Sequence, residues 1–435
     1  MPTLREWAEG LWTGATRTDR TSIVGAGLGA GVPMDEVAPG VAFVPNFGNV
    51  VAIDGGDGLA LVDTGSFLTA PLVHQRVRGW RTTPLLAAVY THGHADHAMG
   101  MGPFDDEART TGAPRPRVYA HEAVAARFDR YKLTAGWNAA INTRQFRVPG
   151  LRWPTEYRYP DVTYRDRWHL EVGGVRLELR HGLGETDDHT WVWLPATRVL
   201  CTGDLFIWAA PNCGNPQKVQ RFPWEWAVAL RKMAGVGAEL MLPGHGLPIA
   251  GRERIAMVLD DSAELLESIH AQALELMNAG ARLDDLIHTV TVPERLQGLP
   301  WLQPVYDEPE FVVRNLWRLY GGWYDGNPAT LKPAPEAALA VELAELSGGA
   351  GVLAERAERL SAEGDHRLAC HLAEYAALAA PDDPGVHRVR AAVYRARGAQ
   401  ERSLMARGVY RWASAESEAV TGSLTETEPS SGRDR

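Results

Sequence analysis

Cysteine is scarce in this chain: Cys201, Cys213 and Cys370 are the only three among 435 residues. An odd, sparse set offers no disulfide framework, so a reducing and therefore cytoplasmic setting is expected. Long apolar runs are missing as well. No stretch nears the ~18 uninterrupted apolar residues of a membrane span. The opening MPTLREWAEGLWTG lacks the basic start and apolar core of a signal peptide. Neither a membrane partner nor a leader is expected. Basic charge is in deficit, with 44 Lys and Arg against 54 Asp and Glu and a net charge of −10. That argues against nucleic acid as a partner. It leaves anionic small molecules open, because a local cationic pocket or a metal overrides global charge.

What is present is ordinary for a globular protein with a real core: 45% hydrophobic and 23% charged residues. The length suggests two domains. Residues 1–40 are rich in Gly and Thr with weak periodicity and read as an irregular arm. From Val41 the runs VAFVP, NVVAID and LALVDTG are short, β-branched and punctuated by Gly, Asn and Asp, which reads as consecutive strands. Leu85–Tyr90 is a continuous apolar run, as in a strand buried on both faces. The runs HLEVGG, VRLELRHG, HTWVWLP and RVLCTGD continue the strands, and ELMLPGHG ends them. Helical stretches fall between without strict alternation, which predicts two sheets with helices outside. Beyond residue 252 strands become scarce. Ile255, Val258, Leu259, Leu265, Leu266 and Ile269 recur at helical spacing. Residues 336–412 hold further helices separated by Gly or Pro. The last stretch, 413–435, is polar and reads as disordered.

The chemistry concentrates in THGHADHAMG, residues 91–100, directly after the buried run. His92, His94, Asp96 and His97 are four ligand-type side chains in six positions. One ion can take His92 and His94 and a neighbour Asp96 and His97. Imidazole and carboxylate suit zinc, with iron and manganese as alternatives. The bland reading, a surface cluster with helix-capping roles, does not explain why three later places repeat the same grammar of apolar strand, Gly hinge and ligand-type residue. These are HGLGETDDH (181–189), CTGDLF with Asp204, and LPGHG with His245. The recurrence predicts convergence at one sheet edge.

H-x-H-x-D-H, a later G-x-T, a GD and a final GH, in this order over residues 40–250, resemble the metallo-β-lactamase superfamily. The resemblance implies an α+β fold, with an αββα sandwich over residues 41–252. It implies that His92, His94 and the G-x-T residue hold the first ion. Asp96, His97 and His245 would hold the second, Asp204 would bridge, and Asp63 of LVDTG would support the site without ligating. Glu185 stands where the superfamily usually has histidine, with His181 and His189 as alternative ligands. A glutamate there resembles the alkylsulfatases, as do RLYGGWYDGNPATLKP and AERLSAEGDHRLACHLAEYAALAAPDD. These imply an all-α dimerisation domain over 253–412 and a homodimer. Asp204 departs from the glutamate common in that group.

The implied activity is hydrolysis of an anionic ester, most simply an alkyl sulfate, by hydroxide formed between two zinc ions and oriented by Asp96 and Asp204. Thioesterase, lactonase and phosphodiesterase activities share the same metals, and a non-catalytic binding member is the alternative from another class. Donors for the sulfate are sought in PNCGNPQKVQRFP (211–223), as Asn212, Asn215, Lys218 and Arg221, and in AAINTRQF, as Asn142 and Arg144. Arginine suits planar anion recognition, although each of these residues reads equally well as an ordinary loop polar. Among 15 tryptophans, Trp137, Trp153, Trp208, Trp224 and Trp226 are candidates to wall an apolar pocket, with core packing the commoner role. Tyr324 and Asn327 read as a turn. No cysteine sits in the C-x-P-x-R context of formylglycine sulfatases, and Cys213 reads as a bystander.

Overall fold

The computed structural model describes residues 4–15 and 34–422. The chain divides into two compact units: the first comprises residues up to Asn138 together with Arg152–Trp323, the second Ala139–Leu151 and the residues from Tyr324 onward.

The first unit is built on two sheets. One contains β1 (Asp35–Ala38), β2 (Val41–Val44), β3 (Val50–Asp54), β4 (Leu59–Val62), β5 (Leu85–Val89), β6 (Arg117–His121) and β7 (Val162–Tyr164) in that spatial order. It is antiparallel from β1 to β4 and parallel from β4 to β7. The other contains β8 (Arg167–Val172), β9 (Val175–His181), β10 (Thr190–Leu194), β11 (Val199–Ile207), β12 (Leu240–His245) and β13 (Ile249–Ala250), each beside the next. Within it, only β11 and β12 run parallel.

Side-chain alternation explains the sandwich. Val41, Phe43, Val51, Ile53, Ala60, Val62, Ala87 and Val89 share one core cluster with Leu177, Leu179 and Val192 of the second sheet. Their neighbours Ala42, Val44, Val50, Ala52, Leu59, Leu61 and Ala88 share another with Val73, Val77, Phe104, Val124 and Phe128 of the outer helices. Strands β2 to β5 are thus buried on both faces, which is why these runs are continuously apolar. Full burial of one such side chain contributes roughly 1.5–3 kcal/mol. Helices Pro223–Ala234 and Arg252–Asn278 add Trp226, Leu230, Met233, Ile255, Val258 and Leu259 to the core of the second sheet. The architecture is α+β, two sheets with helices outside.

The second unit is helical: Glu336–Ser347, Ala350–Glu363, His366–Ala379, Pro384–Gln400 and Leu404–Val420, with Ala139–Leu151. Its helix starts are set by local chemistry. Asp365, Asp383 and Ser403 each accept hydrogen bonds from the first turn that follows them. Among the described residues, no single helix is long and apolar enough to cross a membrane.

Three expectations need correction. The arm expected over residues 1–40 is regular where it is described: Leu4–Thr13 is a helix burying Leu4 and Leu11, and Asp35–Ala38 is an edge strand. Residues 16–33 lie outside the described residues. The boundary expected at 252/253 falls instead at Trp323/Tyr324, because helices Arg252–Asn278 and Pro309–Gly321 bury their apolar faces in the first unit. The tail expected from residue 413 is helical to Val420, since Ala and Glu in AESEAV extend the helix; residues 423–435 lie outside the described residues.

Candidate metal centre

The parallel pair β4–β5 sets the first ligands. β4 is followed by Asp63, a non-glycine residue held at φ 59°, a conformation that Asp tolerates better than most. Its carboxylate accepts from the Thr91 amide (2.7 Å) and the Thr91 hydroxyl (2.8 Å), which fixes the chain leaving β5. The same carboxylate contacts His97 Nδ1 at 2.8 Å. A proton held there leaves the Nε2 lone pair of His97 facing the centre. Asp63 therefore supports the cluster without belonging to it.

Seven side chains converge. His92, His94, Glu185 and Asp204 form one group, and Asp96, His97 and His245 another, with ligand-type atoms in each group within 4.8 Å of one another. Asp204 reaches both. One of its oxygens lies 3.7 Å from His92 Nε2 and 3.2 Å from His245 Nε2, and the other lies 3.2 Å from His97 Nε2. Glu185 Oε2 lies 3.6 Å from both His92 Nε2 and His94 Nδ1. The contributing places are the ends of β5, β9 and β12 and the far half of β11. His94 and Asp96, with side chains 18% and 21% exposed, form the open rim.

The cluster is electrostatically unfinished, and this tests whether cations fit. His92 Nε2 and His94 Nδ1 face each other at 2.7 Å, and the His97 and His245 Nε2 atoms at 3.4 Å. Each of these close nitrogen pairs needs a proton or a cation shared between its two rings. Glu185 Oε2 is buried without a hydrogen-bond partner, and a buried carboxylate oxygen left so is costly. Burial pushes the Glu185 carboxyl up to about 7 against the pull of Arg221, with Asp204 adding to the rise. Burial and the neighbouring His94 and His97 hold His92 well below the usual histidine range. Burial also pulls on His97, but Asp204, Asp96 and Asp63 outweigh it and lift that ring well above the range. Buried carboxylates and imidazoles gathered in this way are a donor set that fits divalent metal ions.

Of the alternatives to Glu185, His189 is occupied: its Nε2 accepts the Asp204 amide at 3.0 Å while its ring stacks on His92. His181 contacts the His189 carbonyl through Nδ1 and stacks on His121. Neither joins the cluster. Gly184, before Glu185, is glycine for a packing reason, since a Cβ there would press on Leu205 and Trp226.

The expected sulfate donors separate. Arg221 donates to Glu185 Oε1 and to the Asn212 carbonyl, and Asn212 donates to the same Glu185 oxygen at 2.6 Å. Both are buried and hold the Glu185 carboxylate. Asn215 shapes its loop by accepting from the Gln217 amide. Lys218 acts electrostatically on Asp96 and Glu185, and burial lowers its ammonium to about 8. Asn142 and Arg144 lie on the helix Ala135–Phe146, in the part that belongs to the second unit. Trp208 and Trp226 are core residues whose ring N–H groups donate to backbone carbonyls, while Trp137 and Trp224 are exposed. Cys213 is fully buried, and burial pushes its thiol well up. Asn327 caps the short helix Pro328–Leu331, a turn as expected.

Sequence reasoning missed several supporting residues. Asp188 accepts from the Gly93 amide (3.0 Å) and from Arg127 Nε (2.7 Å), pinning the His92–His94 loop from the second sheet. Asn49 donates to the Pro243 and Gly246 carbonyls on either side of His245. Asn315 accepts from the Arg221 amide (3.3 Å) and donates to its carbonyl (2.9 Å). Asp307 accepts from the Gly214 amide. The DD of GETDDH was the visible signal for Asp188; nothing local marked Asn315.

The sequence model of the metallo-β-lactamase superfamily matches residues 44–245, and that of the alkyl sulfatase dimerisation family matches 282–419. Residues 44–245 are a metallo-β-lactamase superfamily domain, and the chain as a whole is similar to alkylsulfatases. A linear primary-alkylsulfatase from Pseudomonas sp. is 28% identical over 369 residues, covering 80% of this chain and 69% of that protein. An (R)-specific secondary-alkylsulfatase from Pseudomonas sp. is 26% identical, and an alkyl/aryl-sulfatase from Saccharomyces cerevisiae is 24% identical. The chain spans only 58% and 56% of those two proteins. The solved structure of a stereoselective inverting sec-alkylsulfatase from Pseudomonas sp. aligns with a TM-score of 0.79 at 24% identity, over 91% of this chain and 66% of that one. It supports the fold.

Proposed function

We propose that this alkylsulfatase-like chain is a metal-dependent hydrolase that cuts an alkyl sulfate ester with water, giving an alcohol and hydrogen sulfate. The observation that carries the reading is the convergence of seven ligand side chains in two groups sharing Asp204, with a glutamate at the G-x-T position. His92, His94 and Glu185 would hold one divalent ion and Asp96, His97 and His245 the other, zinc being favoured by the donor set. Ions bound there would lower the pKa of water from about 15.7 to about 7, supplying hydroxide at neutral pH, and would counter charge on the leaving group.

The protein's own groups do the rest. Asp63 fixes the proton of His97 and so the direction of its lone pair. Asp204 stays ionised: burial opposes this, but His245 and His97 outweigh it and hold the carboxyl well below its usual range. Asp96 and Asp204 are placed to orient the attacking water. Arg127, Arg221 and Lys218 all act electrostatically on His94 at the rim, a cationic field suited to the sulfate group.

The test is a substrate panel of alkyl sulfate, thioester, lactone and phosphodiester, assayed with and without a chelator. The expected result is release of inorganic sulfate that stops when metal is removed. Turnover of another ester with none of the sulfate would reassign the activity.

We also propose a homodimer through the helical unit, supported by the dimerisation-family match and by Leu339, Leu346 and Leu368 exposed there. Light scattering should return twice the chain mass. A reducing, cytoplasmic setting is supported by three unpaired thiols.

A further inference from the structure

The two ligand groups differ in what stands behind them. Behind His97 is the carboxylate of Asp63, 2.8 Å from Nδ1, which enriches the imidazole as a donor. Asp96 adds a second anion on the same side. Behind Glu185 is the guanidinium of Arg221, which donates to the oxygen that does not face His92 and His94. Arg221 is buried and cannot swing into solvent to release that charge. Asn315 holds its backbone from both sides, and the Asn212 carbonyl takes a further guanidinium hydrogen. Lys218 and Arg127 add positive field around His94. A cation arriving at Glu185 therefore meets a carboxylate already neutralised by a fixed charge, whereas one arriving at His97 meets reinforced anions.

We infer that the two ion sites are unequal: the Asp96–His97–His245 site fills first and tightly. The His92–His94–Glu185 site fills second and weakly, because the immobilised Arg221 offsets its carboxylate. Arg221 is here a positioning and charge-setting residue rather than a sulfate contact. The inference rests on the ligand assignment of the hydrolase reading but not on turnover.

The test is a zinc titration of chelator-stripped protein against a competing chromophoric chelator. Two steps about 10- to 100-fold apart are expected, the scale on which groups behind metal ligands tune affinity. Glu185→Gln should erase the weaker step and leave the tighter one at wild-type strength, while His245→Ala should erase the tighter one. Arg221→Met should bring the weaker step toward the stronger; a weaker step left unchanged or loosened overturns the charge argument. Circular dichroism reports whether that variant folds, and the Glu185→Gln titration decides the matter if it does not. Two equal steps, or loss of the tighter step in Glu185→Gln, overturn the inference and leave the hydrolase reading standing. Two unequal ions with no ester turnover would do the reverse.

Discussion

His97 and Glu185 are both ligands of the same cluster, yet the chain supports them by different means. His97 sits in one short stretch, residues 91–98, held by Asp63 at the end of the neighbouring parallel strand. That flank is complete once β4 and β5 pair. Glu185 depends on Asn212 and Arg221, and these on Asn315 of the helix Pro309–Gly321 and on Asp307 just before it. Gly214 is glycine because a Cβ there would collide with the backbone of Phe311 and Val312. The second flank thus closes only when a helix far along the chain docks. The dimerisation-family match starts at residue 282 and includes that helix. One flank is local and reinforced by an anion; the other is composite and offset by a cation.

Four substitutions probe this contrast. Asp204→Ala removes the carboxylate common to both flanks, and kcat/KM for an alkyl sulfate should fall at least about 1,000-fold, equivalent to ~4 kcal/mol. Unchanged turnover would remove the shared role. Asp63→Asn touches the local flank alone. It should weaken the tighter zinc step about 10- to 100-fold and spare the weaker one; an effect on both would merge the flanks. Asp307 probes the composite flank by pH. Burial outweighs the amides of Gly214 and Glu308 and raises its carboxyl from 3.8 to about 6. A raised value means that its contribution to stability is fully present below about pH 4 and is lost as pH rises through about 6. Asp307→Asn does not titrate, so its stability relative to the wild type should improve by about 2 kcal/mol between those limits. A pH-independent difference in denaturant melts would contradict this. Asn315→Ala leaves the Arg221 backbone groups short of partners, and should cost about 1 kcal/mol of stability with a several-fold drop in kcat/KM. An activity loss as large as that of Asp204→Ala would mean Asn315 acts more directly.

The same contrast decided how much was legible in the sequence. The strands and the motif at 92–97 could be read because their signals are contiguous: continuous apolar runs, then four ligand-type residues. Glu185, Asp204 and His245 were readable because each follows an apolar run and a glycine. The contact of Arg221 and Asn212 with Glu185 was not legible, because a loop sequence does not say which buried anion its polar groups will meet. Asn142 and Arg144 looked near the site, but they lie on a helix whose end packs in the other unit, where the Gln145 backbone closely approaches Gly408. The N-terminal helix was hidden by its neighbouring Gly- and Thr-rich stretch, although Leu4 and Leu11 are spaced to share one buried face. The domain boundary was misplaced because helicity alone does not reveal which core a helix joins.

The most direct measurement is an anomalous difference map from a crystal of zinc-loaded protein, recorded at the zinc edge. The account predicts two peaks, one among His92, His94 and Glu185 and one among Asp96, His97 and His245, with the Asp204 carboxylate between them. A single peak, or density away from these side chains, would contradict it.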